Sequence, residues 1–194
     1  MQKLSRGDLM SLEQYAEQRE AFRARVIEHK KHRRISLGPN LNLYFEDRLT
    51  MQYQIQEMLR VERIFEAAGI DEELDAYNPL IPDGANLKAT MMIEFDDVEE
   101  RRKALETLIG IEDGIWVQVE GFERAYAIAD EDLERDDESK TSSVHFLRFE
   151  CGEEAAQAAQ NGAAISIGVE HAAYSHQAAP VTPEQRDALA RDFV

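Results

Sequence analysis

Apolar residues recur along this chain at two spacings, and the switches between them mark out its elements. From Ser11 to Arg33, Leu12, Tyr15, Ala16, Phe22, Val26 and Ile27 form a broken helical face, and Ser11 with Gln14 supplies a capping box. Gly38-Pro39-Asn40 ends that segment. Leu41, Leu43 and Phe45 then alternate with Asn42, Tyr44 and Glu46, the period of a half-buried strand. A second helix is expected over Arg48–Ala68, stopped by Gly69, and most of Asp71 to Lys88, with Asn78-Pro79, Pro82 and Asp83-Gly84, is expected to be loop.

Further on, a strand Ala89–Phe95 presents Met91, Ile93 and Phe95 on one face, and a helix Val98–Ile109 runs into Gly110. Ile115–Val119 and Phe122–Ile128 form a hairpin about Glu120-Gly121. Asp130 to Glu138, with seven acids and one base, is expected to be an exposed loop. After it come a strand Val144–Glu150, an Ala-rich helix Glu153–Gln160, a turn at Asn161-Gly162, a strand Ala164–His171, a further strand through Tyr174, and a short helix from Pro183. With no repeat or linker in view, residues 1–194 are expected to form a single α+β domain. Its core would be a mixed, mainly antiparallel sheet flanked by helices, with a long N-terminal helix.

Charge narrows the partners. The chain has 39 acids and 22 bases, a formal net charge of −17. Residues 1–40 hold nine Lys/Arg and five Asp/Glu, against thirteen and thirty-four over residues 41–194. The body would repel nucleic acid and anionic membranes, so generic nucleic-acid binding is disfavoured. No apolar run reaches a membrane span, and Met1 to Met10 lacks the apolar stretch of a signal peptide, which points to the cytoplasm. The single cysteine, Cys151, has no partner for an internal disulfide or a CxxC site.

Three sets of residues carry candidate chemistry. Glu62 falls in the helical stripe of Met51, Ile55, Met58 and Phe65, where a carboxylate must be paired, neutralised or bound to metal. His145 shares strand parity with Leu147 and Phe149, and His171 with Ile165, Ile167 and Val169, so both are placed to face the covered side. One Glu and two His would suit a non-haem iron, manganese or zinc ion. A structural ion pair for Glu62 and hydrogen-bonded core histidines are the competing reading.

The second set is the basic run Arg25, Lys30, Lys31, Arg33 and Arg34, which could engage an anionic partner or lie as a solvated helix face. The third is Asp83, Asn86 and Lys88 on the stiff Pro-rich loop, a binding group or only a turn feeding the next strand. Phosphate-loop, nucleophile-elbow and zinc-protease motifs are missing.

Four stretches resemble a bacterial family known as domain of unknown function 3501. They are LSRGDLMSLEQY (Leu4–Tyr15), RVIEHKKHRRISLG (Arg25–Gly38), LYFEDRLTMQYQIQEMLRVERI (Leu43–Ile64) and ELDAYNPLIPDGANLKATMMIE (Glu73–Glu94). The family has no assigned reaction, so the resemblance carries no catalytic residue to this chain. It implies a setting, since its genes commonly neighbour a rubrerythrin-like protein and an iron–sulfur oxidoreductase. The expectation is an accessory protein of a cytoplasmic redox or oxidative-stress system. The alternatives are a non-haem metalloenzyme using Glu62, His145 and His171, and an anion-binding module using the basic helix and Lys88.

Overall fold

A computed structural model describes residues 2–131 and 139–194. The elements run α1 (Leu12–Lys30), β1 (Arg34–Leu37), β2 (Leu41–Glu46), α2 (Arg48–Glu62), α3 (Ala67–Tyr77), β3 (Asn86–Ile93) and α4 (Val98–Thr107). They continue with β4 (Ile115–Val119), β5 (Ala125–Tyr126), β6 (Ile128–Ala129), β7 (Val144–Glu150), α5 (Glu153–Gln160), β8 (Ile165–His171), β9 (Tyr174–Ala178) and α6 (Pro183–Ala190).

The fold is α+β with a long N-terminal helix, and its strands divide between two sheets. A five-stranded sheet has the order β1-β2-β3-β7-β6, and a four-stranded sheet the order β5-β4-β8-β9. Every strand pairing among the described residues is antiparallel. The hairpin expected around Gly121 forms, with Trp116 opposite Tyr126 and Val117 opposite Ala125. Its return strand then crosses between sheets: Ala127 still donates to Ile115 at 2.8 Å, while Ile128 and Ala129 pair with Arg148 and Leu147. The expected acidic loop falls largely on 132–138, outside the described residues.

The inner faces of the two sheets share one apolar interior, in which Leu43, Met91, Phe149, Ile167 and Val117 are at most 1% exposed. Burial of each such side chain stabilises the fold by roughly 1.5–3 kcal/mol. Ala155, Ala156 and Ala159 of α5 and Leu189 of α6 join this core. At the open edge, the Tyr174 hydroxyl of β9 donates to the Leu37 carbonyl at 2.7 Å and accepts from the Asn40 amide at 3.1 Å. Gly38 makes that approach possible: its φ is +75°, and a Cβ there would lie 2.5 Å from the His176 ring.

The helices α1 to α3 have apolar seams of their own. Tyr15, Phe22 and Val26 form one, and Met51, Ile55, Leu59, Leu74 and Ile81 the other. Ser11 caps α1 as its sequence predicts, accepting from the Gln14 amide at 3.2 Å while Gln14 returns a bond to the Ser11 amide. The helix ends at Lys30 and not Arg33, because the chain must turn there to enter β1.

A larger difference concerns residues 48–88. The single expected helix breaks at Arg63, whose φ of 57° is left-handed, and the Ile64 amide closes back on the Leu59 carbonyl at 2.9 Å. A new helix, α3, then occupies much of the stretch expected to be loop. Gly69 lies inside it and stops nothing. Its missing side chain admits Ile64, whose Cγ2 would be 2.8 Å from an added Cβ. Among the described residues no helix is long and apolar enough to cross a membrane.

Candidate functional site

The outer face of the five-stranded sheet carries the most informative chemistry. On β3, Leu87, Ala89, Met91 and Ile93 point into the interior, so Lys88, Thr90 and Met92 point out. Lys88 stands opposite Glu46 on β2 and opposite Arg148 on β7. Two cations facing each other across strands repel, and each calls for an acid.

Arg148 has its acids. Its Nε and Nη2 donate to the two Glu131 carboxylate oxygens at 2.8 and 2.7 Å, and Nη1 binds Glu150. Among the described residues the Lys88 ammonium has no hydrogen bond or ion pair. Burial pushes its pKa below the usual lysine value, and the Arg148 charge adds to that.

Lys88 borders a cavity of about 570 Å³. Tyr77, Pro79 and Leu80 enter it from the helix side, while Phe146 and Arg148 rise from the sheet, with Glu131 at the same opening. The helix side is held in place by the N-terminal segment. Lys3 Nζ donates to the carbonyls of Asn78 and Ile81 at 2.8 and 2.7 Å, and the Leu4 amide and carbonyl both bond the Asn78 side chain. The α3 helix thus sets an aromatic ring and a proline turn above an amine that is unpaired among the described residues. Such an arrangement can take up an anion with an apolar body.

The other two residues of the loop set have a different part. Asn86 accepts from the Asp83 amide at 3.1 Å and donates to the carboxylates of Asp83 and Glu150 at 2.8 and 2.9 Å. Asp83 also accepts from the Ala85 amide at 3.2 Å. They build the turn that delivers Lys88 to the sheet.

The Glu62, His145 and His171 set is not brought together. Glu62 is exposed at the last residue of α2, because the left-handed Arg63 ends the helix before the apolar stripe reaches that far. It lies near Glu73, whose carboxyl is raised by burial and then by the Glu62 charge. Phe65, counted in the same stripe, is 74% exposed.

His145 is fully buried, with Nδ1 2.5 Å from Asp130 and Nε2 2.8 Å from the Thr141 hydroxyl. His171 sits at the end of β8, bonded to the Ile109 carbonyl and the Ala173 amide. Among the described residues no group of three His, Cys, Asp or Glu side chains could hold a metal ion. The residues present do not fit the iron, manganese or zinc site their sequence pattern suggested.

The basic run also divides. Arg25 is exposed and lies over the Phe22 ring, Lys31 pairs with Glu28, and Arg34 lies over the Tyr44 ring, while Lys30 ends α1 half-buried. Arg33 is 2% exposed. Its guanidinium donates to the carbonyls of Phe45, Ala188 and Glu46 and pairs with the buried Asp192, with Asp47 3.5 Å away. Burial works to raise the Asp47 carboxyl, but the His29 hydrogen bond and the Arg33 charge outweigh it and hold it at about 2. This cluster joins α1, β2 and the C-terminal segment, and its charges satisfy one another. Burial, with help from Glu150, pushes the Cys151 thiol up to about 12 and so disfavours its thiolate.

Strand parity was sufficient to place Phe146 and Arg148 on the outer face, since Leu147 and Phe149 had been assigned inward. Tyr77 gave no such signal, because its helix was read as loop.

Comparison with known proteins agrees with the resemblance in sequence. A family described as protein of unknown function, DUF3501, matches residues 3–193. The chain belongs to that family. No curated protein matches it. The chain is similar to a novel protein of unknown function from Burkholderia pseudomallei K96243, known from a crystal structure. It is 51% identical, covers 100% of both chains and superimposes with a TM-score of 0.94.

Proposed function

We propose that this DUF3501 protein is a binding module that holds an anionic ligand at Lys88 and acts as an accessory to a redox system. One observation carries the binding part: a partly buried ammonium without an acid partner among the described residues, at the edge of a cavity with apolar walls. Leaving an amine unpaired costs stability, and residues kept at such a cost are commonly binding or catalytic groups. A bound anion supplies the missing charge.

The redox setting rests on the genomic company that the family resemblance implies, namely a rubrerythrin-like protein and an iron–sulfur oxidoreductase. An accessory role suits a chain whose one thiol is held protonated. The binding part is tested by calorimetric titration of small anions into the wild type and Lys88→Met. Binding that disappears in the variant supports it, and equal heats in both proteins refute it. The accessory part is tested by mixing the protein with the two partners. A complex or a changed peroxidase turnover is expected, and the absence of both removes that role.

A further inference from the structure

Resting on the reading of Lys88 as an anion site, we infer that the cavity takes a small organic monocarboxylate with a flat apolar body. The charges around the cavity select a single negative charge. Arg148 is already engaged by Glu131 and Glu150, which leaves Lys88 as the cation available to a ligand among the described residues. Asp75 and Glu131 border the same space, so a second negative charge on the ligand would meet repulsion instead of a partner. A phosphate or other dianion is therefore the poorer occupant.

The walls select the rest of the molecule. Phe146 lies on the same sheet face as Lys88, opposite Thr90 and so one outward position along from the Lys88–Arg148 pair. Tyr77 enters from α3, with Pro79 and Leu80 beside it. A carboxylate at Lys88 thus has an aromatic ring on the sheet side and another on the helix side within the same cavity. Rings favour offset or edge contact with a flat apolar group. About 570 Å³ falls in the range that accommodates a whole small molecule and leaves most of its space unused by an inorganic ion. In these partly apolar surroundings the carboxylate–ammonium contact is stronger than the same contact in water.

The probes are 3-phenylpropionate, its uncharged amide and inorganic phosphate, titrated calorimetrically into wild type, Lys88→Met and Lys88→Arg. Folding of each variant is checked by its thermal transition. Saturable binding of 3-phenylpropionate is expected in the wild type, weakened at least about tenfold by Lys88→Met and largely kept by Lys88→Arg. The amide should lose a similar factor.

Equal binding of acid and amide overturns the inference. Lys88-dependent binding of phosphate without 3-phenylpropionate also overturns it, while leaving the anion-binding reading intact. No Lys88-dependent binding of any probe overturns both.

Discussion

Lys88 and Arg148 face each other across β3 and β7, two cations on one side of the sheet, and the carboxylates of Glu131 and Glu150 are bonded to Arg148. This asymmetry sets the chemistry of the outer face. It leaves the Lys88 ammonium less favoured in the folded protein than in an ordinary lysine, a cost that a bound anion would offset.

The first consequence is in stability. Lys88→Met removes the repulsion and the cost of burying the ammonium, and should stabilise the ligand-free protein by about 0.5–1 kcal/mol at neutral pH. The pH dependence has a definite sign. The folded-state pKa of Lys88 lies below the ordinary value of 10.5, so the unfolded chain binds more protons between the two values. Wild-type stability therefore rises with pH across that window, and the advantage of Lys88→Met shrinks. Urea denaturation at pH 7 and near pH 10 measures both effects.

Arg33 and Asp192 give the opposite expectation. Both side chains are 2% exposed, and Arg33 also holds three backbone carbonyls. Asp192→Ala leaves a guanidinium buried with its closest partner gone, and should cost about 3–5 kcal/mol in a denaturant titration. A loss under about 1 kcal/mol would mean that Asp47 can take over the pairing.

Glu57 should govern part of the acid limb. It accepts from the Tyr15 hydroxyl at 2.5 Å and from Arg19 at 2.7 and 2.8 Å. The Arg19 hydrogen bonds, above all, hold its carboxyl down at about 2. A depressed carboxyl contributes stability fully above its unfolded value of 4.5 and loses it as pH falls toward 2. Glu57→Gln should cost about 1–2 kcal/mol at pH 7, and the difference from wild type should close over that acid window. Thermal melts in steps between pH 7 and pH 3 follow it.

How far the sequence foretold the molecule depends on whether the deciding interaction was local. The Ser11 cap, the helix start at Pro183 and the inward parity of β2, β3 and β7 depend on residues close in sequence, and they could be read directly. The break between α2 and α3 could not. It occurs at an arginine in a left-handed conformation, where glycine is the usual signal, while the nearby Gly69 serves packing against Ile64.

Misplacing that break also misplaced Glu62, and hid Tyr77 in an expected loop. Two sheets were expected as one because residues 125–129 change partners midway, a feature that alternation does not encode. Lys88 could be singled out from its loop, but its place beside an Arg148 already held by Glu131 depends on the β3–β7 register and on a residue remote in sequence.

The same break offers a direct check. Arg63→Gly relieves the left-handed strain at an exposed position and should raise stability by about 0.5–1 kcal/mol. Calorimetric melting of the variant against wild type measures it.

The central claim concerns the charge state of one amine, and NMR titration of the Lys88 Nζ reports on it most directly. With the free protein the group should titrate below 10.5, and addition of 3-phenylpropionate should move its midpoint upward as the bound carboxylate stabilises the charged form. A midpoint at or above 10.5, unchanged by the carboxylate, would contradict the account.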